Sequence, residues 1–416
     1  MTYDVAIVGG GAIGLCTAYY LQRQGAHVGV FDRSMIGGPA SASYGNAGWV
    51  VPSHFVPLAA PGVISQGLKW MLDSKSPFYV KPRLDLNLIR WLLQFRRHCT
   101  EAHVDQHAPL LLSLGLESRR LYAEMANEPL IEFGYAAEGL LYTARTARGH
   151  AENLHEAELA ERMGYEVDYL TASEVTDREP ALRDDLAGGV YFPLDAHLTP
   201  QRFQSEMPAL LSERGAALHG SVSVTGFQTA GNRVTGLETS AGPVTATETV
   251  LAGGAWSGEL LREMDVRLLM EPAKGYSLTT IQPDPPLRTP TLLAEAKVAV
   301  TPMLDGQIRY AGTLELAGPS LTINQRRVEA IAEAVPNYFH SIAAEPLAQI
   351  EPWAGLRPCT PDGLPYIGRP QGVKGLTVAA GHAMVGMSLA PVTGRLVADA
   401  VDGKPAPKAF AVDRFS

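Results

Sequence analysis

The sequence predicts an α/β plus α+β protein: a doubly wound, Rossmann-like nucleotide-binding domain with an inserted antiparallel-sheet domain. Three observations carry this. The apolar run Val5–Val8 leads into Gly9, Gly11 and Gly14 in G-x-G-x-x-G spacing, then a helical stretch, a strand ending at Phe31, and Asp32. Two later blocks, Thr247–Ser257 and Leu376–Gly386, repeat the order strand, glycine turn, helix. The intervening blocks are strand-rich without that alternation, which is antiparallel-sheet material. At 416 residues the chain is also longer than a typical single core.

Each part of the fingerprint has a physical task. Gly9 permits the sharp turn, Gly11 lets backbone approach a pyrophosphate, and Gly14 lets helix pack on strand. Ala12 and Ile13 open the helix, whose free N–H groups and positive dipole end suit phosphates. Asp32 stands where a ribose hydroxyl is contacted, with Arg33 beside it. The small-residue loop Gly37–Gly48 can wrap a ligand through backbone N–H groups and the hydroxyls of Ser41 and Ser43.

Further along, Gly67–Met71 and Leu86–Phe95 are apolar segments carrying Trp70 and Trp91. They read as core helices, a lid, or a surface resting on a membrane. Leu110–Met125 and Ala151–Met163 have helical periodicity, and Gly139–Thr143 and Gly188–Phe192 read as strands. Thr199 is placed as the N-cap of a helix starting at Pro200 and stopped by Gly215. A meander follows in Ser221–Phe227, Arg233–Thr239 and Pro243–Ala246. Strands are expected at Tyr276–Ile281, Ala296–Pro302 and Gln307–Thr313, then a helix at Arg326–Val335. The chain thus leaves the nucleotide-binding domain and returns to it. Residues 1–53, 195–265 and 353–416 form that domain, and 54–194 with 266–352 form the second.

Composition narrows the function classes. A net charge of −9 leaves no basic footprint for nucleic acid. Cys16, Cys99 and Cys359 are too few and too scattered for a disulfide framework or zinc cluster. No metal-ligand set stands out. The first strand follows Met1 almost at once, so no signal peptide is expected and the location is read as cytoplasmic, with room for peripheral contact with the inner face of the plasma membrane.

The ordered motifs carry a resemblance. The fingerprint with Asp32, the loop ending Asn46-Ala47-Gly48, Ala252-Gly-Gly-Ala-Trp256, Pro272–Ser277, and Gly355-Leu-Arg-Pro-Cys-Thr-Pro-Asp-Gly-Leu-Pro-Tyr-Ile-Gly368 with Gly381-His382 resemble the FAD-dependent D-amino-acid oxidase family. Ser43 to about Phe95 is similar to its D-amino-acid dehydrogenase branch. Trp353 to Arg414 is similar to its glycine oxidase branch. The resemblance implies noncovalent FAD and oxidative deamination of D-amino acids, D-proline or hydroxy-D-proline among them. The electrons then pass to a quinone or an electron-transfer partner. The alternatives are a glycine- or sarcosine-type oxidase making hydrogen peroxide, an NAD(P)-dependent oxidoreductase, or a non-catalytic FAD-binding subunit. Stereochemistry and oligomeric state do not follow from the pattern.

The resemblance also implies roles. Arg357 anchors the substrate carboxylate, since a guanidinium holds a carboxylate by two parallel bonds; the structural alternative is pairing with Asp362. Gly381, His382, Ala383, Met384, Val385, Gly386 and Met387 form a turn near the flavin. Relatives more often have glycine at Ala383, and glycine oxidase has arginine at Met384. Val224 and Gly253 join Asn46, Ala47 and Gly48 in the cofactor set. His54, His382 and Tyr276 are candidates for the reacting end, with packed or loop roles as their alternatives. Lys274 is set aside as a solvated strand lysine.

Overall fold

The computed structural model describes residues 1–71 and 76–416; residues 72–75, inside the 54–194 block, lie outside the described residues. Two sheets organise the chain. In the first, Thr2–Val8 lies between Val28–Phe31 and Val244–Leu251, parallel to both. Ala217–His219 extends it beyond Val28–Phe31, and Leu376–Ala380 pairs parallel with the end of Val244–Leu251. The central strand is buried on both faces from Val5 to Val8, as its unbroken apolar run requires. Helices Ala12–Arg23 and Ala390–Val401 pack on one another against this sheet. Gly394 makes that contact close, because a Cβ there would stand 2.5 Å from the Cys16 carbonyl carbon.

Val244–Leu251 joins two architectures in one strand. Its start pairs antiparallel with Arg233–Thr239, closing the meander, and its end pairs in the parallel sheet. The sequence divides it at Ala246; the backbone does not. Thr199 precedes helix Pro200–Glu213, but its hydroxyl accepts from Leu304 N at 3.0 Å rather than capping the helix. The side chain therefore ties this helix to the second sheet.

The second sheet runs, in order, through Trp353–Cys359, Glu271–Ile281, Gln307–Leu316, Val298–Met303, Thr291–Leu293, Leu140–Ala144, Gly188–Phe192 and Asp168–Leu170, with Phe78–Val80 parallel to Gln307–Leu316. Strand Trp353–Cys359 corrects the expected partition. Its place in the sequence predicts the nucleotide-binding block, yet it pairs along its whole length with Glu271–Ile281. Its burial pattern is not alternating, so periodicity does not reveal the pairing. Asp168–Leu170 and Phe78–Val80 are short and were not foreseen.

Trp70 and Trp91 separate. Trp91 is buried, and its indole donates to the Cys359 carbonyl at 2.8 Å, which makes it a core anchor. The exposed apolar side chains of helices Val63–Met71 and Leu86–His98 are instead Ile64, Leu68, Met71, Leu86, Ile89, Leu92 and Leu93. No helix among the described residues is long and apolar enough to cross a membrane.

Candidate active site

One cavity of about 1430 Å³ runs from the glycine turn to the underside of the second sheet. At the turn, Gly9 has φ +110°, and a Cβ would sit 2.4 Å from the Ala252 carbonyl oxygen. A Cβ on Gly14 would fall 1.9 Å from the Gly9 carbonyl oxygen, so the helix meets the turn this closely only because Gly14 has no side chain. Gly11 faces the cavity toward the Ser41 and Ser43 hydroxyls. Asp32 accepts from Gly10 N and Ser34 N, both at 2.8 Å, and so shapes the turns on either side of it. Ala12 N donates to Ser43 Oγ at 3.1 Å. Ile13, Arg33, Ala47, Val224 and Gly253 line the same end of the cavity, and Arg33 stacks on Trp256.

The loop ending at Gly48 is held from above. Arg309 donates to the carbonyls of Tyr44 and Asn46 at 3.0 and 2.7 Å, and to Thr279 and Gln201. It is buried, and desolvation pulls its pKa down to about 10. Every donating arm is occupied, so Arg309 works as a clamp between the second sheet and the loop. Asn46 Oδ1 accepts from Gly48 N at 2.8 Å, which closes the loop's last turn.

The second sheet supplies the roof. Ala273 pairs with Arg357 and Gly275 with Gly355, so all four share a face. The Arg357 guanidinium lies over Gly275, where a Cβ would stand 2.3 Å from Cζ. Its Nη1 donates to the Thr313 carbonyl at 2.7 Å. Thr313 has φ +68°, uncommon for a β-branched residue, beside a register shift between Lys274 and Tyr276. This bulge re-aims the backbone and offers a carbonyl to the guanidinium. Asp362, the expected structural partner, is paired instead with Arg414 at 2.7 Å. Arg357 has no carboxylate partner among the described residues. A half-buried cation in a cavity wall, fixed by a carbonyl and lacking a counter-ion, is arranged to receive an anion.

The other candidates divide. His54 lines the cavity, with Nε2 at 2.5 Å from the Tyr142 hydroxyl. Burial, then the Lys297 charge, lowers its pKa to about 4, so the ring is neutral. Its neighbour Ser53 donates its N–H and hydroxyl to buried Asp195, which also accepts from Tyr165. Burial raises the Asp195 carboxyl to about 7.

His382 is packed rather than poised. Nε2 is 3.0 Å from the Thr393 hydroxyl, and burial lowers its pKa to about 3. Tyr276 borders the cavity, but its hydroxyl is turned away from it. Alternation puts it on the face opposite Gly275, where its hydroxyl donates to Glu315 and accepts from Asn324 N. Lys274 is on that face too, buried against Glu315 and Thr322 rather than solvated.

His382, Ala383, Met384, Val385, Gly386 and Met387 line the cavity, and Ala383–Val385 form a single 3₁₀ turn. The α-helix begins only at Ala390, so its N-terminus is not at this turn. Ala383 holds φ +47°, a conformation glycine adopts freely. Gly14, Gly48 and Gly381 are absent from the lining; Gly48 packs on the Leu198 carbonyl and Gly381 on Thr360 and Tyr366. Cys359 is fully buried, with its thiol pushed up to about 12.

Several lining residues escaped sequence reasoning. Trp353 lies against Gly45 and Gly355 and bonds the Pro39 carbonyl. Tyr142, Glu156 and Lys297 come from distant elements. The isolated glycines at 275 and 355, placed in strands, are the signal that could have marked a close approach.

The residues fit a flavin dinucleotide. The cavity is continuous from Gly9 to Arg357, and its glycine wall has no Cβ in the way. The buried Trp49 indole N–H in its lining has no partner among the described residues, as a wall that receives a polar ligand would.

Comparison with known proteins agrees. A D-amino acid dehydrogenase of Granulibacter bethesdensis is 32% identical over 406 residues, covering 96% of each chain. One from Vibrio vulnificus is 31% identical over 415 residues, covering 98% of each. Glycine oxidase from Geobacillus kaustophilus superposes with a TM-score of 0.78 at 25% identity, over 100% of this chain and 99% of that one. The model of the DAO family, FAD dependent oxidoreductase, matches residues 4–400. The chain therefore belongs to the DAO family of FAD-dependent oxidoreductases.

Proposed function

We propose that this enzyme is a dehydrogenase that deaminates D-amino acids. When bound, FAD supplies the two-electron acceptor for the hydride leaving Cα. The product is an imine, which water converts to a 2-oxo acid and ammonia. Arg357 carries the reading: its unpaired guanidinium, flat over Gly275 and held by Thr313, offers two donors to an α-carboxylate. Fixing the carboxylate orients Cα–H, and the roof excludes water. The names of the curated relatives support the D configuration. D-Proline and hydroxy-D-proline belong in the substrate panel, because their imines are cyclic. The buried thiol of Cys359 favours noncovalent FAD.

The acceptor is a quinone or electron-transfer partner reached through the apolar end of the cavity. Its lining continues onto Ile64, Leu68 and Met71, which are exposed beside Lys69. That face suits peripheral contact with an anionic bilayer. Flotation with anionic vesicles at low salt tests this, and failure to float refutes it.

Anaerobic flavin bleaching by matched D- and L-amino acids tests the main reading. Bleaching by D-amino acids followed by slow re-oxidation in air is expected. Fast re-oxidation with peroxide makes the enzyme an oxidase, and bleaching by L-amino acids alone overturns the assignment.

A further inference from the structure

Beyond Arg357 the cavity has a second polar feature. Leu292 pairs with Tyr142, Ala299 with Leu292 and Ala311 with Ala299, so these four residues form one row of the roof. Lys297 lies in the turn just before strand Val298–Met303 and lines the same cavity. Its charge acts on His54, which bonds Tyr142 in that row. Glu156, from helix Ala147–Arg162, lines the cavity near it. The two influence one another electrostatically, yet Lys297 makes no ion pair or hydrogen bond among the described residues. Lys297 and Glu156 thus leave room for a group between them.

Lys297 also sits where another residue would be cheaper. Its φ is +48°, a left-handed conformation that costs a lysine and not a glycine. The same conformation occurs at Thr313 and Ala383, which line the cavity, and at Ser221, Asp265 and Asp305, which do not.

We propose that Lys297 and Glu156 select substrates whose side chain is neutral and carries both an acceptor and a donor, such as a hydroxyl or carboxamide. The acceptor meets Lys297 and the donor meets Glu156, while Arg357 holds the α-carboxylate. An acidic side chain is opposed by Glu156 and a basic one by Lys297. An apolar side chain leaves both charges without a partner. This rests on the deamination reading above.

The test is the rate of anaerobic flavin reduction, as kred/Kd, across a panel. D-Serine, D-asparagine, D-glutamine and hydroxy-D-proline are compared with D-alanine, D-valine, D-aspartate and D-lysine. The first group should exceed the second by about tenfold or more. Glu156→Gln should raise D-aspartate about tenfold against D-asparagine, and Lys297→Met should do the same for D-lysine. Lys297→Gly separates selection from structure. It removes the ammonium and relieves the left-handed strain, so it should reproduce the loss of preference with Tm unchanged or raised. The proposal is overturned if neither single variant changes the ranking, or if Lys297→Gly lowers Tm and slows every substrate equally. If no amino acid bleaches the intact wild-type flavin, the deamination reading falls first and this one with it.

Discussion

The glycine turn and the roof above Arg357 are built on opposite principles. The turn is local. Gly9, Gly11, Gly14 and Asp32 act within a short span of chain, mostly through backbone, and their spacing is itself the mechanism. The roof is non-local. Arg357, Gly275, Thr313 and Tyr142 come from different strands and meet only by register, and Lys297 joins them from a turn. A turn of the first kind binds a common group by shape. A roof of the second kind can be retuned one side chain at a time without disturbing the turn.

That contrast predicts where changes act. Gly14→Val should have the largest effect, because its Cβ would lie 1.9 Å from the Gly9 carbonyl oxygen. FAD should be lost and the fold weakened by several kcal/mol, roughly 3 or more, since backbone must move. Flavin absorbance of the purified protein and its melting temperature check this. A protein that keeps stoichiometric FAD would show that the turn is not what holds the cofactor.

Arg357→Ala should come next, with flavin content kept and kred/Kd for D-amino acids down about 10²- to 10³-fold. Arg357→Lys should recover little, because the forked geometry is gone. Gly275→Ala should lower the same ratio about tenfold by displacing the guanidinium without removing it. If Gly275→Ala instead costs FAD, the two regions are coupled more tightly than their construction implies.

Asp195 gives a pH test on the roof side. Its folded pKa, about 7, lies above the ordinary carboxylate value. The folded state therefore holds the proton more tightly, and this contribution is full below about pH 4 and is lost as pH rises to 7. Each unit is worth about 1.4 kcal/mol, so a few kcal/mol are at stake in order of magnitude. The wild type should lose stability relative to Asp195→Asn between pH 4 and 7, read by chemical denaturation at each pH. Parallel curves would refute this.

The smallest effect is expected at Ala383. Ala383→Gly should raise stability by about 0.5–1 kcal/mol, as a left-handed φ suits glycine. A lowered Tm would mean that the methyl group packs usefully in the turn.

How much could be read in advance follows the same division. Helix Ala12–Arg23, the strands beside it and the long helix ending at Met125 announce themselves by period and by glycine. Arg357 was legible because a motif surrounds it. His382 and Tyr276 were plausible as reacting groups until alternation and packing turned both hydroxyl and ring elsewhere. Arg309 carries no motif, and nothing local distinguishes it from a surface arginine.

Sequence alone determined the fold class and the nucleotide-binding turn, because these depend on residues a few positions apart, and it marked Arg357 as a candidate anchor only through the motif around it. Tertiary structure decided that Trp353–Cys359 belongs to the roof, that Asp362 is spoken for by Arg414, and that Lys297 and Glu156 share a cavity with Arg357. Those facts depend on strand register and on competition for partners, and a chain settles both only when its distant segments pack.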